Sequence, residues 1–274
     1  MLPEGDKVCG VTSHGDEVYV LRWKTEAPGG VRRADVEVYD VISYRLTRRL
    51  TVPNPGEFTD MTSCKHHRCL YLSDLVARCV HRLDARGSIA RWPVHDFPRS
   101  ISVGAAHSAV VTCGFVGRGK VKEFTSRGYL LREIQLPGDV ATPWHAIQTD
   151  SGQFVVCHGG HADPVHRVCT LSPDGRHVVH SHGGLSGPDT GQYDVPRHLA
   201  VDNNESVFVV DIVNRRVTLL SPTLEYVRQV VSPTQLKWSP YRLSLDVRRR
   251  RLYVTENDFD DGSYTAGRLL VFSV

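Results

Sequence analysis

Short apolar runs separated by polar turns recur along the whole chain. Six of them stand out: EVYVLRW, CLYLSD, AVVTCG, FVVCHG, VFVVDI and RLYVTE. Runs of this length, rich in β-branched and aromatic residues, are typical of strands buried on both faces. The segments that follow are divided by turn formers such as DARG, TSRG and SPDG. Because no helical periodicity of useful length occurs, the pattern predicts an all-β protein.

The apolar runs belong to a longer repeat. When the units are aligned two residues after a lead-in proline or its equivalent, the aligned positions are Asp60, Ser100, His145, His198 and Arg242. Their spacings of 40, 45, 53 and 44 residues are those of β-propeller blades. An earlier unit opens near Cys9, so the repeat predicts a six-bladed β-propeller that occupies residues 1–274 as a single domain. The expected blades cover approximately residues 8–54, 58–96, 98–139, 143–187, 195–233 and 238–274.

The last unit differs from the others because it has only three predicted strands, near Arg242–Leu245, Arg251–Thr255 and Arg268–Ser273. Propellers usually avoid an open sheet edge by letting an N-terminal segment complete the last blade. Here Met1 to Lys7 precede the first unit, with Pro3 among them. Either this segment forms a short closing strand, or residues upstream of it in a longer parent protein do so. We expect the second.

One unit carries the signature of a known family. It combines the lead-in GGLSGPDTGQYDVP, the strand VFVVD and the turn Asp211-Ile-Val-Asn214-Arg215-Arg216, and it resembles the NHL repeat. The unit with CLYLSD, Arg78 and VHRLD matches in part, whereas VVTCG and FVVCHG lack the aspartate. The chain as a whole is also similar to uncharacterised invertebrate NHL-like propellers.

The resemblance implies a six-bladed propeller that binds protein or RNA on one face, as in the C-terminal domain of tripartite-motif ubiquitin ligases. The RING finger, B-boxes and coiled coil of those ligases are not in this sequence, so no ligase activity follows for it. A second relative, the peptidyl-hydroxyglycine amidating lyase, is a zinc enzyme with histidines along the propeller axis.

The first residues of each innermost strand should face the propeller axis at one mouth, where closed β-architectures bind ligands. Six of these residues form the expected contact ring for a protein or peptide partner: Arg99, Trp144, His145, Arg197, His198 and Arg242. We expect the arginines to pair with charges, Trp144 to anchor the partner and the histidines to form hydrogen bonds. The preferred function is a non-enzymatic binding or scaffold domain that needs no cofactor.

RNA binding through the same face is the first alternative. Arginines mixed with an aromatic residue are typical of surfaces that hold single-stranded RNA, and Arg78 and Arg215 would add to the ring. Four consecutive arginines, Arg248–Arg251, lie on a turn of the opposite face, where they could grip phosphate or form a solvated turn. The net charge of +3 is too small to favour nucleic acid by itself.

A zinc-dependent lyase or hydrolase is the second alternative. His145 and His198 share one offset in adjacent units, and Asp60 across the axis could supply the third ligand that catalytic zinc requires. The histidines here follow proline by two residues, which departs from the order in the amidating lyase. The simpler interpretation is that they cap strand ends by hydrogen bonding to the backbone.

Two further histidine clusters have a metal-like composition. The segment Cys64–Cys69, CKHHRC, falls between two strands and lacks a distant CxxC partner, so we interpret it as a tight turn. His158, His161 and His166 are expected in a polar loop beside His145 at the mouth. The chain has no GxSxG, HExxH or Walker A motif, which leaves the common hydrolase and nucleotide-binding chemistries without support.

Composition sets limits on the class of protein. Seven cysteines are an odd number, and several lie in apolar strand runs, so we expect reduced thiols and a cytoplasmic protein. No basic region followed by an apolar run begins the chain, and no segment reaches the roughly 20 apolar residues of a membrane helix. We therefore expect no association with membranes. We also expect the propeller to be monomeric.

Overall fold

The strands of this chain form six antiparallel sheets arranged around one axis. The computed structural model describes residues 6–24, 33–52, 56–84, 87–114, 119–260 and 263–274. Within these residues, five sheets have four strands and the last has three. The innermost strands of neighbouring blades contact each other around a closed ring, in which the last blade meets the first. The all-β, six-bladed propeller predicted from the sequence is confirmed.

Consecutive strands pair in every blade, from the innermost strand at the axis to the outermost. Blade one contains β1 (Val8–His14), β2 (Glu17–Lys24), β3 (Arg33–Asp40) and β4 (Leu46–Thr51). Blade two contains β5 (Phe58–Cys64), β6 (Cys69–Asp74), β7 (Cys79–Asp84) and β8 (Ile89–Pro93). Blade three contains β9 (Pro98–Val103), β10 (Ala109–Cys113), β11 (Lys120–Phe124) and β12 (Leu130–Gln135).

The second half of the chain repeats this order. Blade four contains β13 (Pro143–Gln148), β14 (Phe154–His158), β15 (Val165–Leu171) and β16 (Val178–Leu185). Blade five contains β17 (Pro196–Val201), β18 (Val207–Asp211), β19 (Arg216–Leu220) and β20 (Tyr226–Val231). Blade six contains β21 (Ser239–Asp246), β22 (Arg251–Asp260) and β23 (Ser263–Ser273). Among the described residues, helix is limited to the three-residue 3-10 turn Pro233–Gln235, and none is long and apolar enough to cross a membrane.

Burial within a blade decreases from the axis outwards. The second strand of blade five, VFVVD, is buried along its whole length because both faces pack on neighbouring blades. The fourth strand, YVRQVV, is mostly exposed. The hydrophobic core therefore consists of clusters between adjacent blades rather than one central core. The cluster that joins blade six to blade one includes Val8, Val11, Tyr39, Tyr253 and Leu269.

The Asp-x-x-Asn-x-Arg turn of the repeat has a structural role. The Asp211 carboxylate accepts a hydrogen bond from Asn214 Nδ2 at 2.8 Å and from Arg216 Nε at 2.9 Å. Arg216 also donates to the carbonyls of Pro188 and Gln192 in the lead-in segment. The turn thus connects the second and third strands to the Gly-rich segment that precedes them.

Blade six closes on blade one through a side-chain amide. Asn257 Oδ1 accepts the Val8 backbone N–H at 2.8 Å, and Asn257 Nδ2 donates to the Val8 carbonyl at the same distance. Asn257 therefore reproduces the two hydrogen bonds of a paired strand residue. The short closing strand that the sequence allowed at Met1–Lys7, as the alternative to upstream residues, falls mainly outside the described residues, and Asp6 and Lys7 are not in a strand.

The arginine-rich turn contributes to the same closure. Arg249 donates to the Gly15 carbonyl of blade one at 2.8 Å, and Arg251 donates to the Val41 carbonyl at 2.6 Å. Arg249 also forms an ion pair with Asp246 at 3.0 Å. Two of the four arginines therefore link the last blade to the first, which is a structural role that the sequence did not reveal.

Candidate functional site

Every innermost strand has a β-bulge close to its first residue, at the second position in five blades and at the third in blade six. In blade five, Pro196 lies opposite Asp211 and His198 lies opposite Val210, so Arg197 is the additional residue. The same shift in register occurs in the other five blades, where the additional residues are Cys9, Thr59, Arg99, Trp144 and Tyr241. A bulge turns a side chain away from the regular alternation of a strand. Two consecutive residues of each blade can therefore contribute to the site.

The bulges produce two layers of side chains. The mouth layer consists of the bulged residues Thr59, Arg99, Trp144, Arg197 and Tyr241, which line a cavity at the mouth of the propeller. The axial layer consists of the next residues along each strand: Asp60, Ser100, His145, His198 and Arg242. All five axial residues are buried. Three of the six predicted contact residues, Arg99, Trp144 and Arg197, are thus in the mouth layer, while His145, His198 and Arg242 lie beneath it.

Asp60 is the centre of the axial layer. Its Oδ1 lies 3.1 Å from Arg242 Nε, and its Oδ2 lies 3.3 Å from His198 Nε2 and 3.9 Å from His145 Nε2. The two imidazole rings stack with centroids 3.8 Å apart. Because Asp60 is only 1% exposed, Arg242 provides the charge that compensates a buried carboxylate.

The axial side chains also connect neighbouring blades through the backbone. In three blades, the axial side chain accepts the backbone N–H of a residue in the innermost strand of the next blade, in each case the residue that directly follows that blade's own axial residue. These bonds run from Ile101 to Asp60 Oδ2 (3.1 Å), from Leu199 to His145 Nδ1 (3.2 Å) and from Leu243 to His198 Nδ1 (3.2 Å). Both histidines therefore bond to the backbone, as the simpler interpretation of the sequence had it.

Asp60, His145 and His198 are close enough together to be considered as metal ligands. Their hydrogen bonds, however, determine the tautomer of each ring. Because Nδ1 of both histidines accepts a backbone N–H, the ring proton of each neutral imidazole is on Nε2, the nitrogen that faces Asp60 Oδ2 at 3.3 Å in His198 and lies 3.9 Å from it in His145. A zinc ligand needs an unprotonated nitrogen, and Arg242 already pairs with the carboxylate. In this arrangement the three residues do not fit a zinc site.

The environment also shifts the titration of these groups. Burial lowers the pKa of His198 below its ordinary value, and burial together with His198 lowers the pKa of His145 well below it. Burial alone would raise the pKa of the Asp60 carboxyl, but contacts with His198, Arg242 and His145 hold it below the ordinary value. At neutral pH the axial layer therefore contains a carboxylate, a guanidinium and two neutral imidazoles.

The mouth cavity has a volume of about 210 Å³. Its described walls are formed by Lys7, Glu57, Phe58, Thr59, Leu75, Arg99, Trp144, Arg197 and Tyr241. Guanidinium groups cover the rings of Trp144 and Tyr241. The Cζ atoms of Arg99 and Arg197 lie 4.4 and 4.1 Å from the Trp144 ring centre, and those of Arg197 and Arg242 lie 4.6 and 4.3 Å from the Tyr241 ring centre. Cations at these distances are attracted to the faces of aromatic rings.

Hydrogen bonds hold this row of side chains in place. Trp144 Nε1 donates to the Gly159 carbonyl at 2.9 Å, Arg99 Nε donates to the Gly114 carbonyl, and Arg197 Nη2 donates to Tyr241 Oη at 2.7 Å. Because these side chains are already fixed, they lose little rotamer entropy when a ligand binds.

Sequence reasoning missed six of the nine described residues that line the cavity, among them Tyr241, Lys7 and Glu57. Tyr241 is the bulged residue of blade six, and the alignment of Pro240-Tyr241 with Pro196-Arg197 contains the signal that would have identified it. Lys7 and Glu57 come from the segments that precede β1 and β5, and nothing in the repeat pattern indicates that they reach the mouth.

Other predicted candidates lie elsewhere. Arg78 stacks on Phe97 at 4.0 Å, and Arg215 donates to the Leu236 and Lys237 carbonyls. Neither arginine is among the residues that line the mouth cavity.

The expected histidine loop beside His145 needs correction. His158 is the last residue of β14 and is completely buried, and His166 is a strand residue that is 2% exposed. His166 Nδ1 accepts the Val195 N–H at 3.0 Å, and its Nε2 donates to the Gly160 carbonyl at 2.9 Å. Only His161 lies on the exposed turn, because the strands extend further than the polar sequence suggested.

The Cys64–Cys69 segment is the tight turn that the sequence predicted. The two cysteines lie opposite each other at the end of the β5–β6 pair, and all seven cysteines of the chain are buried as free thiols. His66 lies on the turn and stacks on His107 of the next blade, with ring centres 4.2 Å apart.

Comparison with known proteins supports the fold alone. No protein-family model and no curated protein matches the chain, so the NHL repeat stays a resemblance. Among solved structures, the virginiamycin B lyase of Staphylococcus aureus is similar over 100% of this chain and 88% of its own, with 12% identity and a TM-score of 0.64. A chain of the nidogen/laminin complex is similar over 86% of this chain and 84% of its own, with 14% identity and a TM-score of 0.66. The Cps50 (Swd1) propeller of Myceliophteria thermophila is similar over 97% of this chain and 84% of its own, with 11% identity and a TM-score of 0.58.

Proposed function

We propose that this propeller is a recognition domain that binds a protein or peptide segment at its mouth. The observation that carries the proposal is the cavity of about 210 Å³ lined by Arg99, Trp144, Arg197 and Tyr241. Arginine, tryptophan and tyrosine are the residue types that dominate binding energy at protein interfaces. Similarity in fold to a chain of the nidogen/laminin complex is compatible with such a role.

The two layers have different parts in this proposal. Arg99, Trp144 and Arg197 would contact the partner together with Tyr241. His145, His198 and Arg242 would act beneath them by holding the innermost strands in register, and Arg242 additionally supports the Tyr241 ring. Of the contact residues expected from the sequence, the proposal thereby keeps the three half-buried residues of the mouth layer, and it adds Tyr241.

The lyase or hydrolase alternative receives less support. Its two histidines are buried and carry the ring proton on Nε2, which His198 shares with Asp60, so neither offers that nitrogen as a ligand. The similarity to virginiamycin B lyase, at 12% identity, concerns the fold and provides no residue for the reaction.

Selection from a displayed library of random peptides would test the proposal. We expect selected peptides to bind the wild-type domain and to lose at least about 30-fold in affinity with Trp144→Ala or Arg197→Ala, as for hot-spot residues. Arg228→Ala, an exposed arginine on the outer strand β20, is the matched control and should bind like wild type. Failure to select any peptide, or equal binding to the well-folded Trp144→Ala variant, would argue against peptide recognition at the mouth.

A further inference from the structure

We infer that the mouth cavity is an anion site that takes a carboxylate group of the bound peptide. The inference rests on the proposed function and specifies the chemistry of its ligand. The carboxylate can belong to an aspartate or glutamate side chain or to a peptide C-terminus, since the recognising group is the same.

The first argument is the charge of the cavity wall. Three described lining residues, Lys7, Arg99 and Arg197, are cationic, and one, Glu57, is anionic. The fold thus gathers an excess of positive charge in a space partly shielded from water. Cavities lined mainly by one sign of charge concentrate ligands of the opposite sign.

The pKa values of two neighbouring groups reflect this environment. Burial and the charge of Arg197 lower the pKa of Arg99 to about 10. Burial would raise the pKa of Tyr241, but the charges of Arg197, Arg242 and Lys7 reverse this and lower it to about 8. The shift of Tyr241, which runs against the effect of burial, indicates that a negative charge is favoured at this place.

The second argument concerns the donors of Arg197. Its Nη2 bonds to Tyr241 Oη, while its Nε is buried without a hydrogen-bond partner. A buried donor without an acceptor costs about 1–3 kcal/mol. A carboxylate oxygen that reached this guanidinium would remove the penalty, and hydrogen bonds between charged groups are the stronger kind.

The third argument distinguishes a peptide carboxylate from RNA. Proteins hold single-stranded RNA by stacking its bases on open aromatic faces. Here the Trp144 ring is occupied by Arg99 and Arg197, and the Tyr241 ring by Arg197 and Arg242. The volume of about 210 Å³ is also below that of pockets for drug-sized ligands, which is about 300–1,000 Å³. The cavity therefore suits a small anionic group better than a stacked base.

Tyr241 provides the readout for a test. Its ionisation near pH 8 can be followed by ultraviolet absorbance and assigned by its loss in Tyr241→Phe. The probes are short capped peptides at constant ionic strength: one with an internal glutamate, its glutamine analogue, and the glutamine analogue with a free C-terminal carboxylate. Inorganic phosphate is the fourth probe. We expect the carboxylate-bearing peptides to raise the Tyr241 pKa by about one unit, because a bound anion disfavours the tyrosinate.

Variants and controls make the result decisive. The shift should be lost in Arg197→Ala and in Arg99→Gln, and should persist in Arg228→Ala. The two carboxylate probes show whether a side chain or a C-terminus is preferred. Equal effects of the glutamate and glutamine peptides, or a shift caused by phosphate alone, would overturn the inference.

The outcome also separates this inference from the proposed function. Library peptides that need Trp144 and Arg197 but contain no carboxylate at the anchoring position would uphold peptide recognition and refute the anion site. A carboxylate-induced shift in a protein that selects no peptide would uphold the anion site and refute peptide recognition.

Discussion

His198 Nε2 lies 3.3 Å from Asp60 Oδ2, although 138 residues separate the two in sequence and they belong to opposite blades of the ring. This contact crosses the propeller axis and separates two cavities. The mouth cavity lies on one side, and a second cavity of about 210 Å³, lined in part by His145, His198 and Met61, lies on the other. The axial layer is therefore a buried polar plug between the two.

Replacing Asp60 by asparagine should destabilise the fold strongly. The change keeps the shape but leaves the Arg242 guanidinium buried without its compensating charge, which costs about 3–5 kcal/mol. Urea unfolding followed by tryptophan fluorescence measures the loss. Asp150→Asn, on an exposed turn, is the control and should change the free energy of unfolding by less than about 0.5 kcal/mol. Equal midpoints for the two variants would contradict the importance of the axial ion pair.

Stability should fall as the pH is lowered below about 6.5. The pKa values of His145 and His198 are lowered in the folded state, so the unfolded chain takes up protons first and acid favours unfolding. The Asp60 carboxyl, whose folded pKa is also lowered, adds a further loss only below its ordinary value of 3.8. Each histidine contributes at most about 1.4 kcal/mol per pH unit.

The histidine contribution can be isolated by comparing variants. His198→Gln should reduce the slope of unfolding free energy against pH between about pH 6.5 and 5, whatever its effect on stability at pH 7. His161→Gln, on an exposed turn, should leave the slope unchanged. An unaltered slope in His198→Gln would show that His198 does not titrate on unfolding.

Gly10 directly follows the bulge of blade one, at the position equivalent to the five axial residues, and alanine at this position should destabilise the propeller. An added Cβ would lie 2.7 Å from Met61 Cβ and 2.9 Å from the Met61 nitrogen of the next innermost strand. Overpacking of this kind costs about 1–3 kcal/mol. Gly138→Ala, where the added carbon meets no atom within 4 Å, is the matched control for thermal unfolding. A melting temperature for Gly10→Ala equal to that of the control would contradict close packing of β1 on β5.

Asn257→Ala should weaken the closure of the ring. It removes both hydrogen bonds to the Val8 backbone, and a buried N–H left without a partner costs about 1–3 kcal/mol. We expect faster hydrogen exchange at the Val8 amide and across the joint between blades six and one. The interface between blades three and four should retain its exchange rates in the same sample. Asn203→Ala, an exposed turn residue, is the control.

The repeat was predictable because the period of the apolar strands depends on local sequence. The alignment on the residue two after proline correctly placed Asp60, Ser100, His145, His198 and Arg242 at equivalent positions, and structure shows them as one buried layer. It did not show that the residue just before each of them is bulged. A bulge is a matter of pairing between strands, which the sequence of one strand does not reveal.

The sequence by itself determined the six blades, the turns and the rows of equivalent positions, since these follow from hydrophobic period and turn chemistry. Only the tertiary structure decided which set of equivalent residues, one from each blade, faces the mouth. The bulges direct Arg99, Trp144, Arg197 and Tyr241 to the cavity and leave His145, His198 and Arg242 around Asp60. Contacts between residues more than a hundred positions apart arise from closing the ring, and closure is a property of the packed blades rather than of any local pattern.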